Sequence, residues 1–333
     1  MSERFAAVWA GLATSPFLAD LGPEDRSWWR VLLAVACGIA AGFIAIFVLA
    51  VMMLIAGAVF MFSLGYGSND VETIAAGLTG GELPMTLEMT LGVIGALAII
   101  NGILSLVVVA VASLIVRKPF KASFTAARRF RWRQLAAGLL LYALAMIPMI
   151  GLMYATGEAE GEIPLLSLTN SAGEILLYLG AAIVGLILAA GAEELAFRGW
   201  LLRHTAAFVR SPWILLLING VLFSAIHLDP DPNAFIARAV MGMIFCYMAL
   251  RLGGIEFAIG AHAANNIMIV LFIEPMSLKM PAPETFQAHY LVETLVVLVL
   301  GVTVTELVFR VPALRRWTKA DEVYAKSTAS VFR

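Results

Sequence analysis

Six side chains in the second half of this chain combine the groups that carbonyl hydrolysis needs. Glu193, Glu194 and Arg198 follow about twenty almost wholly apolar residues, His227 closes a later apolar run, and His262 and Asn266 share another. Ionisable groups in apolar helices are costly and mark function by default. Glu194 and Arg198 are four residues apart, on one helix face, so they can pair and offset each other's desolvation. Glu193 lies about 100° around the same helix, turned away from that pair and towards an interior cavity, where a carboxylate can act as general base. His262 and Asn266 are also four apart, and Gly260, Ala261, Ala263 and Ala264 keep their helix slim enough for close packing. In this reading Glu193 and His227 position and deprotonate a water, while His262 and Asn266 donate to the oxyanion forming on a carbonyl. Glu193, His227 and His262 are equally a zinc ligand set. The sequence contains no HExxH, so zinc and a metal-free mechanism both stay open.

Each group also has a plainer reading. Glu194 with Arg198 can be a structural pair, and a histidine in an apolar helix can be a satisfied contact between helices. Asn265 is expected to point away from Asn266 and to serve packing or capping. His204 and His289 fall outside the clusters, at a helix end and an interface, and Glu174, Glu256, Glu293 and Glu306 are given no chemistry.

These side chains need helices that cross a bilayer. The chain has 333 residues, 61% hydrophobic and 14% charged, and its apolar windows fall at about 31–62, 87–116, 134–154, 173–192, 212–227, 234–250, 255–273 and 289–311. Runs of roughly 20 apolar residues cross a membrane as helices. The expected fold is an all-α polytopic bundle of about eight spans enclosing an intramembrane catalytic cavity, which excludes a soluble enzyme. The span that ends at Glu193 is expected to run on towards His204. Cys37 and Cys246 both lie in apolar runs and read as small buried hydrophobes. The first thirty residues carry acids and lack a cleavable apolar leader.

Charge alternates along the connections. Loop 63–86 carries Asp70, Glu72 and Glu82 without a base, and loop 155–172 carries Glu158, Glu160 and Glu162 without one; between them, 117–133 carries seven bases and no acid. Lysine and arginine mark the cytoplasmic side. The expectation is a multi-pass protein of the inner (plasma) membrane with both termini cytoplasmic: a segment 1–30, a bundle 31–311 with its catalytic core at about 173–273, and a short mobile tail at 312–333. The stretch 117–133, with Phe120, Phe124, Phe130 and Trp132 among its bases, reads as an anchor on anionic lipid, and nothing points to nucleic acid. One tension remains: this span map puts Glu193 near the inner interface and His227 near the outer one.

The three motifs resemble the CPBP intramembrane metalloprotease family, which includes type II CAAX prenyl endopeptidases and bacteriocin-processing, Abi-like proteins. The pattern EExxxR is matched by Glu193, Glu194 and Arg198, FxxxH by Phe223 and His227, and HxxxN by His262 and Asn266. The resemblance covers about 173–273. It implies a helical bundle around a cavity open to membrane and cytoplasm, Glu193 and His227 as water-activating residues, and His262 with Asn266 as the oxyanion site. The substrate it implies is a membrane protein or a lipidated, hydrophobic peptide. Two readings from other classes are a transporter using these charges as a relay and a non-catalytic membrane immunity or scaffold protein.

Overall fold

The computed structural model describes residues 3–63, 86–157, 159, 161–276 and 285–324. Asp70, Glu72, Glu82, Glu158 and Glu160, on which the orientation argument draws, lie outside the described residues. Among those described there is no strand, only a single bridge between Thr125 and Gly254.

Each of the eight apolar windows forms a helix. After a short α1 (Glu3–Ala13) come α2 (Trp28–Ser63), α3 (Leu87–Val116), α4 (Trp132–Thr156) and α5 (Ala172–Glu194). The last runs without a break through a π-helical turn, Leu195–Leu201, into α6 (Leu202–Phe208). Then follow α7 (Pro212–Ala225), α8 (Pro232–Leu252), α9 (Glu256–Phe272), α10 (His289–Arg310) and the short α11 (Pro312–Trp317). Six of the spans so formed are long and apolar enough to cross a bilayer, while α7 and α9 are shorter apolar helices. The protein is therefore an all-α, multi-pass membrane bundle. Its outer surface fits lipid: Phe43, Phe47 and Leu54 on α2 are each about 70% exposed, which water would penalise and hydrocarbon does not.

Local sequence sets the helix ends. Thr86 caps α3 by accepting from the Met89 amide, and Ser171 caps α5 by accepting from Glu174. Asp231 caps α8 ahead of Pro232, and Gly253, at φ 72°, closes it in the left-handed region that glycine enters without strain.

Glycines bring together the helices that carry the site. A Cβ on Gly138 of α4 would lie 2.2 Å from the Phe257 carbonyl, and one on Gly260 of α9 would lie 2.1 Å from the Leu135 carbonyl. The α4 and α9 backbones thus touch, fixing the helix that bears His262 and Asn266. In the same way Gly220 of α7 meets Gly242 of α8, with a Cβ on Gly242 only 2.8 Å from the Gly220 Cα.

The ends of the chain also pack. Phe17 is fully buried, and Arg203 donates to its carbonyl and pairs with Asp20. Residues 312–324 do not trail from the bundle as the mobile tail expected for 312–333: Ala320, Val323 and Tyr324 are buried, and the Tyr324 hydroxyl donates to the Arg251 carbonyl at 2.7 Å. The basic stretch 117–133 is divided in role. Arg131 is buried against Glu256 and Lys118 pairs with Asp25, whereas Arg117, Lys121, Arg128, Arg129 and Arg133 are exposed beside Trp132, itself 71% exposed.

Candidate active site

Glu193 and Glu194, neighbours in sequence, occupy different surroundings. Glu194 is fully buried, and its Oε1 accepts both from Arg198 Nη1 at 2.9 Å and from His262 Nδ1 at 2.9 Å. Arg198 is also fully buried. Its Nη2 donates to the Gly242 carbonyl at 2.9 Å, and its guanidinium lies 4.4 Å from the Phe223 ring centroid and 5.2 Å from that of Phe245. Aromatic faces offset part of the cost of burying a cation. Glu194 Oε2 and Arg198 Nε have no hydrogen-bond partner, so this buried pair is not saturated. The expected pairing of Glu194 with Arg198 is present, and it extends one residue further, to His262.

That extension fixes the imidazole. A carboxylate oxygen only accepts, so His262 Nδ1 carries the proton and Nε2 faces the other way. Nε2 lies 3.7 Å from Glu193 Oε2. The ring stacks on Phe245 at 4.7 Å and meets Phe223 edge-on at 5.8 Å, which leaves it little freedom to turn.

Glu193 keeps 24% of its side chain exposed while the groups behind it are sealed. Its Oε1 accepts from Asn101 Nδ2 at 3.1 Å. Sequence reasoning missed Asn101, although it is the one amide side chain between Leu87 and Val116. An isolated amide in a lipid-spanning helix was the available signal.

His227 and His262 flank one ring: Phe223 lies 5.1 Å from His227 and 5.8 Å from His262. His227 donates from Nδ1 to the Phe223 carbonyl at 2.8 Å, which in the neutral ring leaves Nε2 as the acceptor. Glu193 lies within electrostatic reach of it but outside ion-pair distance. Leu228, next along, has φ 53° and is 82% exposed; a bulky residue in that region is unusual and here turns the chain immediately after the histidine, just beyond the end of α7. Asn266 accepts at Oδ1 from Asn265 Nδ2 at 3.2 Å, leaving its own N–H groups to donate elsewhere. Asn265 therefore turns towards Asn266 and does not point away from it, because adjacent amides at the partly exposed edge of α9 satisfy each other.

The helix lengths bear on the expected difference in depth. α7 has 14 residues and rises about 21 Å, short of the roughly 30 Å hydrocarbon core, so His227 follows an incomplete crossing and is not at a far interface. The span containing Glu193 has 37 residues, Ala172–Phe208, and the partner of Glu193, Asn101, stands at the middle of the 30-residue α3. Glu193 thus lies beside the midpoint of α3. The π-turn begins just after Glu194, at Leu195; such turns inside α-helices recur at functional sites.

A zinc site needs three or four donors converging on one point. Among the described residues no three His, Cys, Asp or Glu side chains are so gathered. Glu193, His227 and His262 as arranged do not fit a metal. His204 bonds its own helix at the Trp200 carbonyl, and His289 stacks on Tyr290, both outside this cluster. Glu256 and Glu306, given no chemistry from sequence, pair with Arg131 and Arg251.

Residues 175–268 match the model of the family described as Rce1-like, type II CAAX prenyl endopeptidase. The uncharacterized protein YyaK of Bacillus subtilis (strain 168) is 30% identical over 165 residues, 48% of this chain and 54% of that protein. The chain thus spans about half the length of the curated relative it matches. No solved structure matches. The matched segment contains Glu193, Glu194, Arg198, His227, His262 and Asn266 and excludes Asn101. Over residues 175–268 the chain is thus similar to the Rce1-like, type II CAAX prenyl endopeptidase family.

Proposed function

We propose that this protein is an intramembrane endopeptidase that hydrolyses a peptide bond in a membrane-associated protein or a lipidated, hydrophobic peptide. The observation that carries the reading is the contrast at residues 193 and 194: one carboxylate sealed and committed, the next held at one oxygen and open at the other.

Glu193 Oε2 takes a proton from a water that His227 Nε2 helps to position. The water oxygen attacks the carbonyl carbon. Asn266 Nδ2–H donates to the oxygen on which charge develops, and His262 adds a second donor at Nε2 when that nitrogen carries a proton. The carbon–nitrogen bond then breaks, and the proton on Glu193 passes to the leaving amine. Glu194 and Arg198 hold His262 in place and do not touch the substrate. No step passes through a metal.

The protein sits in the inner membrane with both termini cytoplasmic, a reading supported by the bases at 117–133 and after α10. The exposed Arg117, Lys121, Arg128, Arg129 and Arg133 contact anionic lipid headgroups.

The test is cleavage of a hydrophobic peptide library by purified protein in lipid. Glu193→Gln lowers kcat by about 10²- to 10⁴-fold, the range for a general base, with thermal stability unchanged. Undiminished cleavage would sink the assignment, and solute flux into vesicles without any hydrolysis would favour a transporter.

A further inference from the structure

We infer that Asn101, on a helix outside the Rce1-like segment, is a positioning residue for the general base. This rests on the reading of Glu193 given above and extends the site into the first half of the chain.

A carboxylate on a flexible side chain turns freely unless something holds one oxygen. Asn101 Nδ2 holds Glu193 Oε1 at 3.1 Å, and Oε2 is thereby the oxygen left beside His262 Nε2 at 3.7 Å. Without the amide, the carboxylate plane turns about its last side-chain bond, and no oxygen is held in a fixed direction beside His262. A hydrogen bond to a charged group is worth more than a neutral one, and groups that orient a reactive residue gain from being fixed themselves.

The packing of α3 on α5 is built to deliver this contact. A Cβ on Gly185 would lie 2.4 Å from Ile94 Cγ2, so glycine there admits α3 closely. Two turns further along both helices, in parallel, Asn101 reaches Glu193. Between Leu87 and Val116 no other side chain bears an amide, and an amide at the midpoint of a lipid-spanning helix needs a partner to be kept. Its partner here is the one carboxylate of the site that has an open side.

The experiment measures kcat, KM and thermal stability of the full-length protein in lipid for Asn101→Leu, Asn101→Gln and Glu193→Gln. Asn101→Leu, similar in shape and better suited to hydrocarbon, folds at least as stably and loses roughly 10- to 100-fold in kcat with KM little changed. Asn101→Gln, which keeps an amide donor on a longer stem, recovers part of that loss. If Asn101→Leu lowers stability while each folded molecule keeps full kcat, Asn101 only joins helices and the inference falls. If Asn101→Leu is harmless in both respects while Glu193→Gln is inactive, the inference alone fails. If Glu193→Gln stays active, the reading of the base fails and the role of Asn101 goes with it.

Discussion

Among the described residues two arginine–glutamate pairs are almost fully buried, and they differ in saturation. In the first, Arg131 and Glu256 meet in a fork: Nε donates to Oε1 at 3.0 Å, Nη2 to Oε2 at 2.7 Å, the Arg131 amide also reaches Oε1, and Nη1 takes the Leu252 carbonyl. Both carboxylate oxygens and every guanidinium nitrogen are engaged. In the second, Arg198 and Glu194 share one short contact, the same Oε1 also holds His262, and Glu194 Oε2 with Arg198 Nε is left without a partner. A saturated pair is a clasp: it ties the basic stretch to the start of α9. An unsaturated pair that spends its best oxygen on a histidine is keeping a reactive group in place. Burial alone does not separate the two, since all four side chains are about equally hidden.

The comparison predicts, first, that breaking either pair by one substitution costs about 3–5 kcal/mol, because an uncompensated charge stays buried. Arg131→Met and Arg198→Met should both shift thermal unfolding in detergent strongly downwards. A small shift for Arg198→Met would mean that its pair contributes less than the clasp.

Removing both charges separates the pairs. Apolar replacement of a whole buried pair is often neutral for stability. Arg131→Met with Glu256→Leu should then fold and keep its specific activity, whereas Arg198→Met with Glu194→Leu should fold and lose roughly 10- to 100-fold, the scale on which groups that orient a reactive histidine matter in metal sites. Equal activity of the two double variants would erase the distinction drawn here.

The smallest effect concerns the exposed bases beside the clasp. Arg128→Gln, Arg129→Gln and Arg133→Gln should each weaken the preference for anionic lipid by about 1 kcal/mol without moving the unfolding of the Arg131 pair. Quenching of Trp132 by brominated anionic against zwitterionic lipid measures this. Identical quenching in both lipids by the unsubstituted protein would contradict the lipid contact.

Much of this arrangement is legible in the sequence. The eight apolar windows each fall on a helix, six of them long enough to span, because lipid demands continuous apolar runs, and the spacing of Glu194 and Arg198 states their pairing from sequence alone. What escaped depends on partners far apart in the chain. Arg131 reads as one more base in a basic run, and only the fold brings Glu256 to it. Asn101 is not singled out by the sequence motifs, and only the parallel packing of α3 on α5 makes Glu193 its partner. The second partner of Glu194 was hidden for a further reason: His262 reads as a donor towards the substrate, and only the fold shows its Nδ1 committed to the carboxylate behind it.

The central claim, that Glu193 drives water onto a peptide bond, is tested most directly by cleaving a hydrophobic peptide with the purified protein in ¹⁸O-labelled water. Mass spectrometry should find one ¹⁸O in the new carboxylate for the unsubstituted protein, and almost no product for Glu193→Gln under the same conditions. Product formed at an undiminished rate by Glu193→Gln, or a new carboxylate without the label, would contradict the account.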